Sequence, residues 1–177
     1  MKTTNWISVL FLMVHIGTYA ALPDAPYNLR SYDKINPIGT DNLPYFGWYV
    51  SDPDNNEIQS AYQILVASTT EKLNAGHGDV WDSGKVISRN QNYVFLDGKP
   101  LVSATSYYWK VRTWDKDGNM SPFSDVATFK TGLLTNADWK GAKWIKRNTN
   151  DEDDYTYFRK KVTLPHKSIR SATAYLA

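Results

Sequence analysis

Short segments in which apolar and polar residues alternate recur along most of the chain, and turn-forming residues separate them. In the clearest segment, 107–114, Tyr107 and Trp109 lie on the same face of a strand because side chains alternate between the two faces. The polar run 115–119 supplies a turn, and residues 125–130 supply the return strand of a hairpin. About seven such strands, without the strand and helix alternation of a parallel sheet, predict an all-β sandwich.

Two local features indicate the kind of sandwich. Trp48 falls on the inward face of its strand, and we expect Trp48, Tyr107 and Trp109 to form the structural core. Leu101 and Thr105 precede Tyr107 at a spacing that resembles the tyrosine corner of fibronectin type III domains. In that corner the phenol oxygen bonds to upstream backbone. The sequence therefore predicts a fibronectin type III-like, immunoglobulin-like β-sandwich.

The chain divides into three parts by sequence character. Residues 1–20 contain a short basic start, an apolar run and then small residues, which is the order of a secretory signal peptide. The apolar run is too short to span a membrane, so we expect a secreted or periplasmic protein. Residues 21–132 hold the sandwich. Residues 133–177 carry at most a few more strands and are too short to bury a core alone, so we expect the start of a domain that is cut off or completed by another chain.

Composition argues against several classes of site. The chain has no cysteine, which excludes disulfides, thiolate zinc sites, a cysteine nucleophile and a lipid-anchor cysteine. The net charge of +2 provides no dedicated surface for nucleic acid. Beyond the signal segment, His77 and His166 have no neighbours at the spacing of a catalytic triad or a zinc site. We therefore expect no cofactor, no metal and no catalytic residue.

Two acidic clusters have competing interpretations. Asp115, Asp117 and Asn119 alternate around Gly118 as at the start of a calcium loop, but the later glutamate of such a loop is missing. A hairpin turn explains the same residues and is the favoured interpretation. The run 151–154 could gather a cation or supply a carboxylate pair, but adjacent like charges in a loop normally stay solvated.

Aromatic side chains are expected on the outward faces of two strands. Tyr108 and Trp114 share one such face with two basic residues, and Tyr45 and Tyr49 share another. Flat exposed rings could stack on sugars, or they could pack against the next domain. Because a domain that leads directly into another must form an interface, docking is the favoured interpretation and carbohydrate binding is the alternative.

The order of several local phrases is informative in itself. The most specific phrases are residues 79–86 and 107–115, and the others are 25–29, 36–39, 44–48, 61–68, 129–134 and 144–145. In this order they resemble the N-terminal region of bacterial α-L-rhamnosidases of glycoside hydrolase family 78, over essentially the whole chain after the signal segment.

The resemblance implies a fibronectin-like domain followed by a jelly-roll β domain, with inverting hydrolysis of terminal α-L-rhamnosides in a later helical barrel. It places no catalytic residue on this chain and makes 133–177 the first strands of a truncated jelly-roll. The chain would then be a non-catalytic N-terminal fragment whose partners are the later domains of the same protein. The alternative is a free-standing carbohydrate-binding or adhesive sandwich, in which Tyr108 and Trp114 stack on a rhamnose-containing glycan.

Overall fold

The computed structural model describes residues 21–40, 43–53, 58–146, 156–163, 168–169 and 172–176. The expected signal peptide and the acidic run 151–154 lie outside these residues. The described part contains nine strands, one short helix and one 3₁₀ turn, and none of its helices is long and apolar enough to cross a membrane. The elements are β1 (Tyr27–Ser31), β2 (Ile38–Thr40), β3 (Tyr45–Tyr49), β4 (Ala61–Ala67), α1 (Thr70–Asn74), β5 (Trp81–Asp82), β6 (Val86–Ile87), β7 (Val94–Phe95), β8 (Ser106–Trp114), β9 (Ala127–Thr131) and the 3₁₀ turn Asn136–Trp139.

The strands form two sheets. One has three antiparallel strands in the order β1-β3-β7, and the other has six strands, in which β2-β9-β8-β4-β5 follow one another and β6 also pairs with β4. The longest ladder is the antiparallel pairing of β4 with β8, from Ala61 opposite Trp114 to Ala67 opposite Tyr108. β2 pairs in parallel with β9, and we did not predict β2 from its three residues.

The segment 79–86 contributes residues to two short strands, β5 and β6. β5 and β6 pair with different parts of β4, Trp81 opposite Val66 and Val86 opposite Tyr62. Gly84 lies between them with φ +58, in the left-handed region that glycine adopts at little cost. The chain therefore bends away from β4 and returns to it.

The core lies between the two sheets and is rich in aromatic side chains. Trp48, Tyr107 and Trp109 are 3%, 4% and 0% exposed, and the ring centroids of Phe46 and Trp109 are 4.5 Å apart. Removing one such ring from water contributes about 2 to 3 kcal/mol. The indole N–H of Trp48 donates to Oε1 of buried Gln59 at 3.0 Å, so burial leaves this polar group satisfied.

The corner before β8 is held by two side-chain hydroxyls. The backbone N–H of Val102 donates to the phenol oxygen of Tyr107 at 2.8 Å. Thr131 accepts from the N–H of Thr105 at 2.9 Å and donates to the carbonyl of Val102 at 2.6 Å. This is the tyrosine corner expected from the sequence, and together with the two packed, mainly antiparallel sheets it makes the protein an all-β, fibronectin type III-like sandwich.

After β9 the described residues form a 3₁₀ turn, Asn136–Trp139, where the sequence predicted strands. Leu134 donates through its N–H to Ser103 at 2.8 Å, and the Ser103 hydroxyl donates to Asp138 at 2.6 Å, which ties the 3₁₀ turn to the sandwich. Gly132 still bonds to the backbone of Thr40 and of Ala104, at 2.8 Å each, but none of the described residues after Thr131 belongs to a strand. Part of 133–177 lies outside the described residues, and its assignment to a jelly-roll stays a prediction.

Candidate binding surfaces

The outer face of the six-stranded sheet carries aromatic rings covered by basic side chains. We call it the cationic face, and its residues are Lys85, Tyr108, Lys110, Arg112, Trp114 and Phe123. The Lys85 Nζ lies 4.6 Å from the centroid of the Trp114 ring, and the Arg112 Cζ lies 5.2 Å from it. Trp114 is consequently only 8% exposed. It lies on the outward face indicated by its spacing from Tyr108, but its ring offers little surface on which a sugar could stack.

The cationic face is more positive than the near-neutral chain. Lys110 and Arg112 lie 4.5 Å and 4.6 Å from the centroid of the Phe123 ring. Burial, and next the charge of Arg112, lower the pKa of Lys110. Arg112 donates to Gln63 at 2.9 Å, and no carboxylate in the described part of the chain forms a salt bridge with Lys110 or Arg112. The arrangement suits a partner surface that carries carboxylates.

Tyr108 is half-buried because helix α1 packs beside it. Its ring contacts a small cluster formed by Leu65, Ala67 and Leu73, of which Leu73 comes from the helix. The helix is capped by Thr69, whose hydroxyl accepts from the N–H of Lys72 at 3.3 Å.

Asp79 anchors the start of α1 to the sheet. Its carboxylate accepts from the N–H of Ser68 at 2.9 Å and from the ammonium of Lys72 at 2.6 Å. Burial raises the pKa of Asp79, but the hydrogen bonds from Lys72 and Ser68 outweigh it and set the pKa at about 2. The carboxylate therefore stays charged at any pH near neutral.

The outer face of the three-stranded sheet exposes its rings. We call it the aromatic face, and its residues are Tyr27, Tyr45, Tyr49, Tyr93 and Phe95. Tyr27, Tyr49, Tyr93 and Phe95 are between 50% and 60% exposed, and Tyr45 is half-buried among them. Tyr45 lies 5.2 Å from Tyr93 and 5.8 Å from Phe95, centroid to centroid, and Tyr27 stacks on Tyr49 at 5.8 Å.

Sequence reasoning singled out Tyr45 and Tyr49 and missed the other three rings of this face. Pairing between strands brings two of the missed rings beside the predicted ones. Tyr27 lies opposite Tyr49, and Phe95 lies opposite Tyr45. A signal was present for two of them, since Tyr93 and Phe95 alternate with the apolar residues Val94 and Leu96, which are buried.

A hydrogen bond and unusual backbone hold the centre of the aromatic face. The Tyr45 hydroxyl donates to the carboxylate of Asp33 at 2.8 Å, and this bond, with burial next, raises the pKa of Tyr45. Tyr32 and Tyr93 have φ values of 52 and 53, in the left-handed region that bulky residues rarely adopt, and Asp33 lies there too with φ 58. Such conformations persist only where the surrounding structure imposes them, and they concentrate at functional sites.

The hairpin turn after β8 uses the residues that resembled a calcium loop. The carboxylate of Asp115 accepts from the N–H of Asp117 at 2.9 Å and from the N–H and side-chain amide of Asn119, each at 2.8 Å. Burial raises the pKa of Asp115, but these hydrogen bonds outweigh it and the net shift is downward. The turn accounts for both carboxylate oxygens. No group of three or more His, Cys, Asp or Glu placed to hold a metal occurs among the residues that the structure describes.

Comparison with known proteins relates the chain to glycosidases. A family model described as "Rha78A-like, N-terminal immunoglobulin domain" matches residues 26–135. An α-L-rhamnosidase of Formosa agariphila is 38% identical over 167 aligned positions, which cover 81% of this chain and 17% of that protein. The chain thus spans about a sixth of the length of this curated relative.

Solved structures agree with the family match. The α-L-rhamnosidase of Dictyoglumus thermophilum superposes with a TM-score of 0.64 and 44% identity over 66% of this chain and 13% of that one. The Streptomyces avermitilis α-L-rhamnosidase, solved in complex with L-rhamnose, has a TM-score of 0.64 and 37% identity over 69% of this chain and 12% of that one. The resemblance inferred from the sequence phrases is therefore confirmed: the chain corresponds to the N-terminal, non-catalytic region of α-L-rhamnosidases, and it belongs to the family of Rha78A-like N-terminal immunoglobulin domains.

Proposed function

We propose that this chain serves an enzyme that hydrolyses terminal α-L-rhamnosides, and that its sandwich packs against the domains that follow and orients them. The observation that carries the proposal is the match to an α-L-rhamnosidase that covers 81% of this chain and only 17% of the relative. The remaining length of that relative leaves room for separate catalytic domains. The role of the sandwich is then mechanical, as in other chains where one domain leads directly into the next.

The cationic face is the surface that we assign to this contact. Lys130 lies on the outward side of β9, beside β8, and its ammonium donates to the hydroxyl of Thr173 at 3.0 Å. The chain beyond the sandwich thus passes along this side of the molecule. The partner surface would carry carboxylates opposite Lys110 and Arg112, whose charges no described carboxylate pairs with.

The segment after the sandwich supports the same proposal through its apolar side chains. Trp144, Phe158 and Leu176 are 83%, 57% and 93% exposed, and all three line one shallow cleft. Clustered apolar surface of this kind marks sites that another surface covers. Under the proposal, the domain that follows in the longer relatives covers them.

Export also belongs to the proposal. It rests on the order of basic, apolar and small residues in 1–20. N-terminal sequencing of the exported protein is expected to find Ala21 as the first residue, whereas an intact N-terminus on exported protein would contradict cleavage.

A chimaera tests the docking role. Residues 26–135 of this chain replace the matching domain of the Formosa agariphila α-L-rhamnosidase, and hydrolysis of an aryl α-L-rhamnoside and thermal unfolding are measured. We expect the chimaera to fold and to be active, and we expect this chain alone to be inactive on the same substrate.

Charge reversal then locates the interface. Lys110→Glu is expected to destabilise the chimaera by about 1 kcal/mol more than it destabilises this chain alone, because it places like charges across the contact. The matched control is Lys34→Glu, at an exposed lysine next to the three-stranded sheet. Equal destabilisation of Lys110→Glu in the two contexts would contradict docking through the cationic face.

A further inference from the structure

A cleft of about 550 Å³ opens where the edge strands of the two sheets approach each other. β5 is the outermost strand of one sheet and β7 is the outermost strand of the other, and the cleft lies between them. We call it the edge cleft, and the residues used below are Tyr62, Trp81, Asp82, Asn90, Tyr93 and Asp97. Its volume falls within the range of about 300 to 1,000 Å³ usual for small-molecule sites.

Three polar side chains of the edge cleft are available to a ligand, whereas one carboxylate oxygen of Asp82 already accepts from Gln63 and from the N–H of Gly84. Within the described residues, the side chains of Asn90 and Asp97 make no hydrogen bond or ion pair. Tyr62 is 8% exposed, and its hydroxyl bonds to no group in the part of the chain that the structure describes. Burial raises the pKa of Tyr62, so the hydroxyl remains a donor. A tyrosine that is largely buried normally pairs its hydroxyl, and this one lines a cleft instead.

The aromatic groups of the edge cleft are held in place by close packing. Trp81 stacks on Phe46 of the core, with ring centroids 6.1 Å apart. Gly98 packs so closely that an added Cβ would lie 2.7 Å from the Trp81 Cβ and 2.6 Å from the Val80 carbonyl oxygen. Only glycine allows the chain next to Asp97 to approach the indole in this way, so the carboxylate and the ring line one cleft.

The edge cleft is continuous with the aromatic face. Tyr93 lines the cleft and also contacts Tyr45, and it is 60% exposed with a backbone φ of 53. Phe95 lines the cleft as well and lies opposite Tyr45 in the sheet. A ligand that enters the cleft can therefore extend over exposed rings.

We infer that the edge cleft binds a neutral pyranose unit of a glycan and that the aromatic face carries the sugars next to it. A pyranose has C–H faces, which aromatic rings attract, and hydroxyl edges, which carboxylates, amides and phenols bind. Asp82 and Asp97 give the cleft negative charge, and no cation in the described part of the chain forms a salt bridge with either. The cleft therefore disfavours uronic acids and sulfated sugars. This inference goes beyond the docking role and does not depend on it.

Titration of the chain with sugars tests the inference. The probes are L-rhamnose, cellohexaose, mannohexaose and xylohexaose, with hexagalacturonate as the acidic counterpart, and the readouts are tryptophan fluorescence and amide chemical shifts. We expect saturable binding of at least one neutral probe, with shifts at Trp81, Asn90 and Asp97, and weaker binding of hexagalacturonate. Absence of saturable binding by all four neutral probes up to on the order of 10 mM would overturn the inference.

Matched variants place the bound sugar. Tyr93→Ala and Asp97→Ala are each expected to weaken binding about tenfold without unfolding the protein, because both side chains are exposed. The controls are Tyr27→Ala, on the same face but outside the cleft, and Asp125→Ala, at an exposed site in the loop before β9. Equal weakening by Tyr27→Ala and Tyr93→Ala would show binding by the rings in general and would overturn the assignment to the cleft. These titrations use this chain alone, so an inactive or unfolded chimaera would contradict the docking role without changing the result expected here.

Discussion

The two outer faces of the sandwich use aromatic side chains in opposite ways. On the cationic face, Lys85 and Arg112 lie over Trp114, which is 8% exposed. On the aromatic face, Tyr49 and Tyr93 are 50% and 60% exposed and touch mainly other rings. The same alternation of residues along a strand therefore produces a covered surface on one sheet and an open one on the other.

The difference follows from the width of the sheets. The six-stranded sheet has long central strands, and basic side chains from β8 itself and from the link between β5 and β6 cover its apolar rings with their methylene groups. The three-stranded sheet ends in β7, which has two residues, so its outward rings have few neighbours other than each other. Rings of the first kind are covered and pack into the fold, whereas rings of the second kind stay about half exposed.

The largest expected effect separates these two kinds of ring. Trp114→Ala should lower the free energy of unfolding by about 3 kcal/mol, since it removes a buried ring together with its contacts to Lys85 and Arg112. Tyr49→Ala should cost less than about 1 kcal/mol because half of its surface is already exposed. Urea unfolding followed by circular dichroism measures both. Similar losses for the two variants would remove the contrast between the faces.

An effect of intermediate size is expected on stability in acid, and it depends on the charge of Asp79, which anchors helix α1. The folded pKa of Asp79, about 2, lies below its ordinary value of 3.8, so the stabilisation is fully present above about pH 5 and is lost as the pH falls through 2. Asp79→Asn should cost about 1 kcal/mol at neutral pH, since the pair with Lys72 is partly open to solvent, and almost nothing at pH 2. Urea unfolding at a series of pH values measures this difference. Asp125→Asn, at an exposed site, is the control, and a loss for Asp79→Asn that persists undiminished at the acid end would contradict the role of its charge.

The smallest expected effect is on the titration of Tyr45, at the centre of the aromatic face, in alkaline solution. Because Asp33 raises the pKa of Tyr45, this hydroxyl contributes stability below its ordinary pKa of 10, and the contribution disappears as the pH rises through the higher folded value. Asp33→Asn should shift the titration of Tyr45 towards lower pH. Ultraviolet absorbance of the phenolate measures the shift, with Tyr45→Phe identifying which phenol is followed. An unchanged titration in Asp33→Asn would show that the hydrogen bond does not hold this ring.

Much of the fold was accessible from the sequence because it depends on local alternation. The spacing of Tyr107 and Trp109 put both on the inward face, and the residues before Tyr107 indicated the corner in which Val102 donates to its phenol oxygen. The polar run after β8 was correctly interpreted as a turn, since Asp115 bonds to groups only two and four residues further along. Each of these features involves residues close together in the chain.

Features that depend on distant segments were not accessible. β2 has three residues and forms only because it pairs with β9, about ninety residues later. Trp114 is covered partly by Lys85, which lies almost thirty residues earlier in the chain. The rings that contact Tyr45 also come from other segments. No pattern of residues within one strand predicts neighbours of this kind.

The sequence by itself thus determined the fold class, the family and the side of the sheet to which the residues of the longer strands point, because these follow from short-range periodicity and from the order of local phrases. The tertiary structure alone decided which outward rings are covered and which are open. It also brought the edge strands β5 and β7, from different sheets, to the two sides of one cleft. Exposure and cleft shape depend on which remote segments pack together. The residues of a single strand do not show which remote segment will cover them.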